Sequence, residues 1–151
     1  GSEDDVLDRY YLAATEYKAD IVVRITSDCP LVDPAIIDLV VNYFLQTTPP
    51  LDYCYNTEFP GSYPDGMDVE VIRYGALKQA WEKATLPEER EHVGPYFKSN
   101  PTLFNIARIP YPRTIPEYHW SVNTKADLDF ACSVYDRLGD SFSVEDVIKI
   151  C

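Results

Sequence analysis

The chain is short of positive charge. It carries 13 Lys and Arg against 25 Asp and Glu, a formal net charge of −12. Binding to a nucleic-acid polymer or an anionic membrane needs clustered cations, so both partner classes are excluded as broad electrostatic surfaces. A single nucleotide is not excluded, because a divalent metal, backbone amides and one or two basic residues can hold a small anion. Long apolar runs are also missing. None approaches the ~18 residues that would span a bilayer, and no stretch has the charged-then-apolar pattern of a signal peptide. Cys29, Cys54, Cys132 and Cys151 form no C-x-x-C pair and lie near no histidine at zinc-ligand spacing. In a chain neither short nor cysteine-dense, they are expected to be reduced thiols of a cytoplasmic protein. With only two histidines, no Ser-His-Asp arrangement can be argued from sequence. Glycine-rich phosphate loops of the G-x-G-x-x-G or G-x-x-x-x-G-K kind do not occur. Nor is there an internal repeat or a low-complexity tract, and 151 residues suffice for one domain with a real core.

What the chain does have is an alternation of helical and strand patterns. Val6, Leu7, Tyr10, Tyr11, Ala14 and Tyr17 recur with a helical period over residues 5–18. Residues 20–26 are β-branched and almost continuously apolar, as in a strand buried on both faces. Asp33-Pro34 supplies an N-cap and a first-turn proline for a helix through Phe44. Strands are expected at 52–56, 69–72, 103–109 and 120–122, helices at 75–84 and from 87 to 98, and a Pro/Gly-rich loop at 59–66. Thr124 with Asp127, and Ser143 with Asp146, make capping boxes for a helix reaching Leu138 and for a last short helix. Strands separated by helices predict an α/β fold, a mainly parallel sheet flanked by helices on both faces. Ligands of such sheets bind beyond the carboxyl ends of the strands, which is where Asp28 and Asn123 fall.

Several polar residues stand out, each with two readings. Asp28 suits a turn before Pro30, or a metal or phosphate site. Arg24, Thr26 and Asp28 share one strand face. An arginine in such an apolar run needs a partner, either a structural carboxylate or a ligand. Asp65 sits in the turn-like Pro64-Asp65-Gly66. Asp68 and Glu70 are two apart on a strand and point the same way, toward polyol hydroxyls or toward Arg90. His92 reads as a hydrogen-bonded structural histidine or as a donor to carboxylate or phosphate. His119 carries less signal still, and Trp120 reads as core packing. Cys29 reads as a small buried residue.

At residues 24–34 the string R-I-T-S-D-C-P-L-V-D-P resembles the second motif of the cytidylyltransferase superfamily. It is most similar to the branch of spore coat polysaccharide biosynthesis cytidylyltransferases, which resembles the synthetases of CMP-activated sugar acids. The likeness continues in order through D-D-V-L-D-R-Y at 4–10, Y-P-D-G-M-D-V-E-V at 63–71, R-E-H-V at 90–93 and V-N-T-K-A-D-L at 122–128. The resemblance implies a nucleotide-diphosphosugar-transferase-like fold and CTP-dependent activation of a sugar or sugar acid for surface polysaccharide. A sugar hydroxyl would attack the α-phosphate, pyrophosphate would leave, and Mg²⁺ would lie between carboxylates and phosphates. By the same resemblance Asp28 is a magnesium ligand and Asn123 occupies the second ligand position. Arg24, Asp65, Asp68, Glu70, Arg90 and His92 are the expected substrate-binding residues.

Two departures from the family pattern shape the expectation. The family reads V-D-T where this chain has Val122-Asn123-Thr124, and an amide brings no charge to a metal. The family's opening strand and its loop of basic and small residues have no counterpart here. Residues 1–151 are therefore expected to be a single C-terminal portion of such a domain, without turnover alone. Two rivals remain. A metal-dependent nucleotide-sugar glycosyltransferase would use an Asp-x-Asp pair, which Asp68-Val69-Glu70 replaces only imperfectly. A non-catalytic binding or assembly module would suit Asn123. A homodimer is compatible with all three, and no segment locates its interface.

Overall fold

The computed structural model describes residues 2–57 and 63–151. In chain order the elements are α1 (Val6–Glu16), β1 (Ile21–Arg24), α2 (Pro34–Gln46), β2 (Tyr53–Tyr55), β3 (Glu70–Arg73), α3 (Tyr74–Lys83), α4 (Pro87–His92), α5 (Gly94–Ser99), β4 (Ile106–Arg108), α6 (Lys125–Leu138) and α7 (Val144–Ile150). Side-chain oxygens start most of the longer helices by accepting first-turn N–H groups that have no partner inside the helix. Asp5 accepts from Asp8 at 3.0 Å, and Asp33 accepts from Ala35 at 2.8 Å. The other carboxylate oxygen of Asp33 takes the Val144 N–H at 3.0 Å, so one buried acid begins α2 and fastens α7 beside it. The capping boxes at Thr124 and Ser143 form as expected.

The strands lie in the order β1-β3-β2-β4. β3 is antiparallel to both β1 and β2, and β2 is parallel to β4. The expected mainly parallel sheet is thereby corrected: two of the three pairings are antiparallel. The reason lies in the connections. β1, β2 and β4 are each reached through helices and run one way, as parallel strands require. β3 follows β2 with no helix between them among the described residues, and it runs in the opposite sense and inserts between β1 and β2.

Helices do cover both faces. Cys54 and Val71 point into a core with Val40 and Phe44 of α2, Val134 of α6 and Val147 of α7. Tyr53 and Ile72, one residue along each strand, point the other way among Leu7 of α1, Leu77 of α3 and Phe97 of α5. Each fully buried Leu, Ile or Phe contributes about 1.5–3 kcal/mol from removal of apolar surface from water.

Other expectations shift. β1 is an edge strand rather than one buried on both faces, and Val23 is 40% exposed. The helix over 87–98 breaks at Val93, a buried β-branched residue with φ +64°. The strand over 103–109 shortens to β4. Residues 120–122 form no sheet strand; their neighbourhood is pinned by Asp65 N–H to Tyr118 O at 3.0 Å and Trp120 N–H to Asp65 O at 2.8 Å. Residues 59–62 of the expected loop lie outside the described residues. The four cysteines are free thiols. Among the described residues no helix is long and apolar enough to cross a membrane.

Candidate functional site

The common direction of β1, β2 and β4 brings their carboxyl ends to one rim, and the reversal of β3 adds its amino end. Arg24 and Tyr55 therefore both lie opposite Glu70. A cleft of ≈ 440 Å³ opens here, lined by Arg24, Asp65, Asp68, Glu70 and His92, five of the six expected substrate-binding residues. Lys98, Glu117 and His119 stand on its walls. A cavity of similar size, ≈ 450 Å³, lies across Arg24 and Thr26 against α1, but no carboxylate lines it. The convergence of titratable groups marks the first as the candidate site.

Arg24 and Glu70 form a buried ion pair, Nη1 to Oε2 at 2.5 Å. The Tyr53 hydroxyl donates to the other oxygen of Glu70. Burial, and then the charge of Glu70, push that hydroxyl well above its ordinary pKa, so it remains a donor. Gly94 closes over this group; a Cβ there would lie 2.5 Å from Glu70 Oε1 and 2.8 Å from the Tyr53 hydroxyl. Arg24 thus has a structural partner and still faces the cleft. Its Nε is buried without a hydrogen-bond partner.

Arg90 is elsewhere. Its guanidinium grips Asp5 through Nε at 3.0 Å and Nη2 at 2.6 Å, and donates from Nη1 to Trp81 O at 2.8 Å. It ties α4 to α1 and α3 and does not line the cleft. His92, on the last turn of α4, is exposed on the cleft wall.

Asp65 and Asp68 come from the turn that precedes β3. Gly66 makes that turn possible: its φ is +95°, and a Cβ would lie 2.6 Å from Ser121 N. Asp65 accepts from Ser121 Oγ at 2.8 Å and meets His119 Nδ1 at 3.1 Å. Asp68 is pushed up to about 6, first by burial and then by the charge of Asp65, with smaller contributions from Glu70 and Asp28 against one N–H from Gly66. Such a carboxylate holds or releases a proton near neutral pH.

The two expected magnesium ligands come from adjoining segments: Val122 N–H donates to Asp28 O at 2.8 Å, and Asn123 follows Val122. The Asn123 amide donates to Ser121 Oγ at 3.1 Å, leaving its carbonyl oxygen for other use. One carboxylate and one amide oxygen fit a magnesium ion that takes its remaining ligands from substrate phosphates and water. Cys29 beside them is pushed up to about 11, chiefly by burial, and stays a thiol.

Sequence reasoning passed over Ser121 and ranked His119 below His92. The available signal was position: His119-Trp120-Ser121 immediately precedes the 122–128 motif, and His119 is one of only two histidines.

Comparison with known proteins follows the same lines. A family model described as cytidylyltransferase matches residues 1–136. The spore coat polysaccharide biosynthesis protein SpsF of Bacillus subtilis is 27% identical over 143 residues, covering 93% of this chain and 57% of SpsF. The uncharacterized protein MJ1063 of Methanocaldococcus jannaschii is 40% identical over 112 residues, covering 74% of this chain and 44% of that protein. The solved structure of a cytidylyltransferase from Leptospira borgpetersenii superposes with a TM-score of 0.91 at 34% identity, over 99% of this chain and 63% of that one. The chain spans about half the length of the curated relatives it matches. The motifs, the fold and these matches agree that the chain belongs to the cytidylyltransferase family.

Proposed function

We propose that this chain carries the sugar side of a CTP-dependent nucleotidyltransferase that activates a sugar or sugar acid for surface polysaccharide synthesis. The observation that carries this reading is the gathering of Arg24, Asp65, Asp68, Glu70 and His92 around one cleft at the strand ends. Asp65 and Asp68 offer acceptors to sugar hydroxyls, and His92 and the Arg24 guanidinium offer donors. Asp28 and the Asn123 carbonyl would hold Mg²⁺, which when bound neutralises charge growing on the phosphates. The glycosyltransferase alternative needs Asp68 and Glu70 as a free acidic pair. Glu70 is already engaged by Arg24 and Tyr53, which disfavours it.

The test is pyrophosphate release by the protein as encoded by its gene, supplied with CTP, Mg²⁺ and a panel of aldohexoses and 2-keto sugar acids. Asp28→Asn is expected to lower the rate by about 10²-fold or more. Release that prefers another nucleotide, or a rate indifferent to Asp28, overturns the reading. Residues 1–151 alone are expected to show no turnover. Micromolar CTP binding by calorimetry together with pyrophosphate release from that fragment would overturn that part.

A further inference from the structure

Asp65 and His119 on the cleft wall belong to a hydrogen-bonded chain that runs back to Ser121 and Asn123. The Asn123 amide donates to Ser121 Oγ, Ser121 Oγ donates to Asp65 Oδ2, and the same oxygen meets His119 Nδ1. We propose that His119 accepts the proton of the attacking sugar hydroxyl, with Asp65, Ser121 and Asn123 as the residues that position it. The assignment rests on the nucleotidyl-transfer reading above.

With the Asp65 carboxylate accepting, Nδ1 is the donor in this contact and Nε2 is the ring nitrogen left to meet a substrate hydroxyl. Backbone bonds on either side of His119 hold it against Asp65, from Asp65 N–H to Tyr118 O and from Trp120 N–H to Asp65 O. The relay also gives Asn123 a task that Asp could not perform in the same way, since the bond to Ser121 needs an N–H at position 123. The other carboxylates are less suited. Both oxygens of Glu70 are engaged. Asp68 is the rival, a raised acid on the same cleft.

The step balances. A bond forms from the sugar oxygen to the α-phosphorus of CTP, and the bond from that phosphorus to the bridging oxygen breaks, its electron pair leaving with pyrophosphate. The hydroxyl proton passes to Nε2, and the resulting imidazolium rests against the Asp65 carboxylate.

The His119 side chain is 73% exposed, so His119→Ala should fold, which circular dichroism checks. With CTP, Mg²⁺ and whichever sugar of the panel supports release, His119→Ala is expected to lower kcat by about 10²–10⁴-fold. KM for CTP should change little, and added imidazole should restore part of the rate. Ser121→Ala, which removes the Ser121 bond to Asp65, should give a smaller kcat loss in the same direction. Nitrogen-15 shifts of the His119 ring should report protonated Nδ1 in the unmodified protein and a mixed tautomer in Asp65→Ala. Unchanged kcat in His119→Ala, loss without imidazole rescue, or a mixed tautomer from the outset overturns this assignment alone. In the first case, loss in Asp68→Asn would transfer the role to Asp68. No release from the unmodified protein with any sugar overturns the transfer reading, and this assignment with it.

Discussion

The flank built by α1, α3 and α4 and the cleft at the strand ends use the same charged residue types to opposite ends. On the flank, Arg90 meets both oxygens of Asp5 and a backbone carbonyl of α3, so the two charges match each other. At the cleft Glu70 is matched in this way, by Arg24. Asp68 sits near Asp65, Glu70 and Asp28, and burial first, then those like charges, raise its pKa instead of lowering it. Paired charges fasten helices together. Burial among like charges keeps a carboxylate near neutrality and ready for hydroxyls or protons, at a cost to the fold.

The largest effect should come from breaking the buried Arg24–Glu70 pair inside the cleft. Glu70→Ala strands the buried Arg24 guanidinium and the Tyr53 hydroxyl, and is expected to destabilise the protein by about 3–5 kcal/mol in urea titration. Arg24→Met with Glu70→Leu, which removes both charges, should recover most of that loss. A Glu70→Ala protein within about 1 kcal/mol of the parent would show that the pair behaves as an exposed one.

Arg90→Met should cost less, about 1.5–3 kcal/mol, because the lost hydrogen bonds are charged but the site is partly open to water. Asp5, its partner, is held below its usual carboxylate range by Arg90, and that hold disappears in the variant. The flank reading requires that pyrophosphate release per folded molecule stay unchanged. A fall in kcat with stability intact would move Arg90 into the cleft and erase the contrast.

This contrast was partly legible in the sequence. Helix starts were readable because capping is local: Asp33, Thr124 and Ser143 sit where their side chains reach the first turn. The position of Asp28 after an apolar strand was readable for the same reason. Strand direction was not, because it depends on whether a connection carries a helix that packs across the sheet. The described residues between β2 and β3 carry none, and β3 reversed. The fate of Arg90 was equally hidden, since its partner Asp5 is 85 positions away. Asp68 and Glu70 both line the cleft, although Asp68 precedes β3 and only Glu70 lies on the strand. Which of them would be neutralised depended on Arg24 lying opposite Glu70 across β1 and β3.

The smallest effect discriminates best between fastening and function. Asp68→Asn replaces a carboxylate whose pKa in the fold is about 6 against an ordinary 3.8. Between those two values the folded chain keeps a proton that the unfolded chain releases, so stability falls as pH rises through the window. Above about 6 the full cost of holding the charged form is present. Asparagine removes that cost, so the variant should be more stable at neutral pH by about 2 kcal/mol, allowing for water in the open cleft. The gain should shrink as pH falls and vanish near pH 4, where both proteins carry an uncharged group. Thermal melts across that range measure it. A variant that gains stability at pH 7 while losing turnover would mark Asp68 as a charge kept for function. One that loses stability at every pH would place Asp68 with Arg90 among the fastenings.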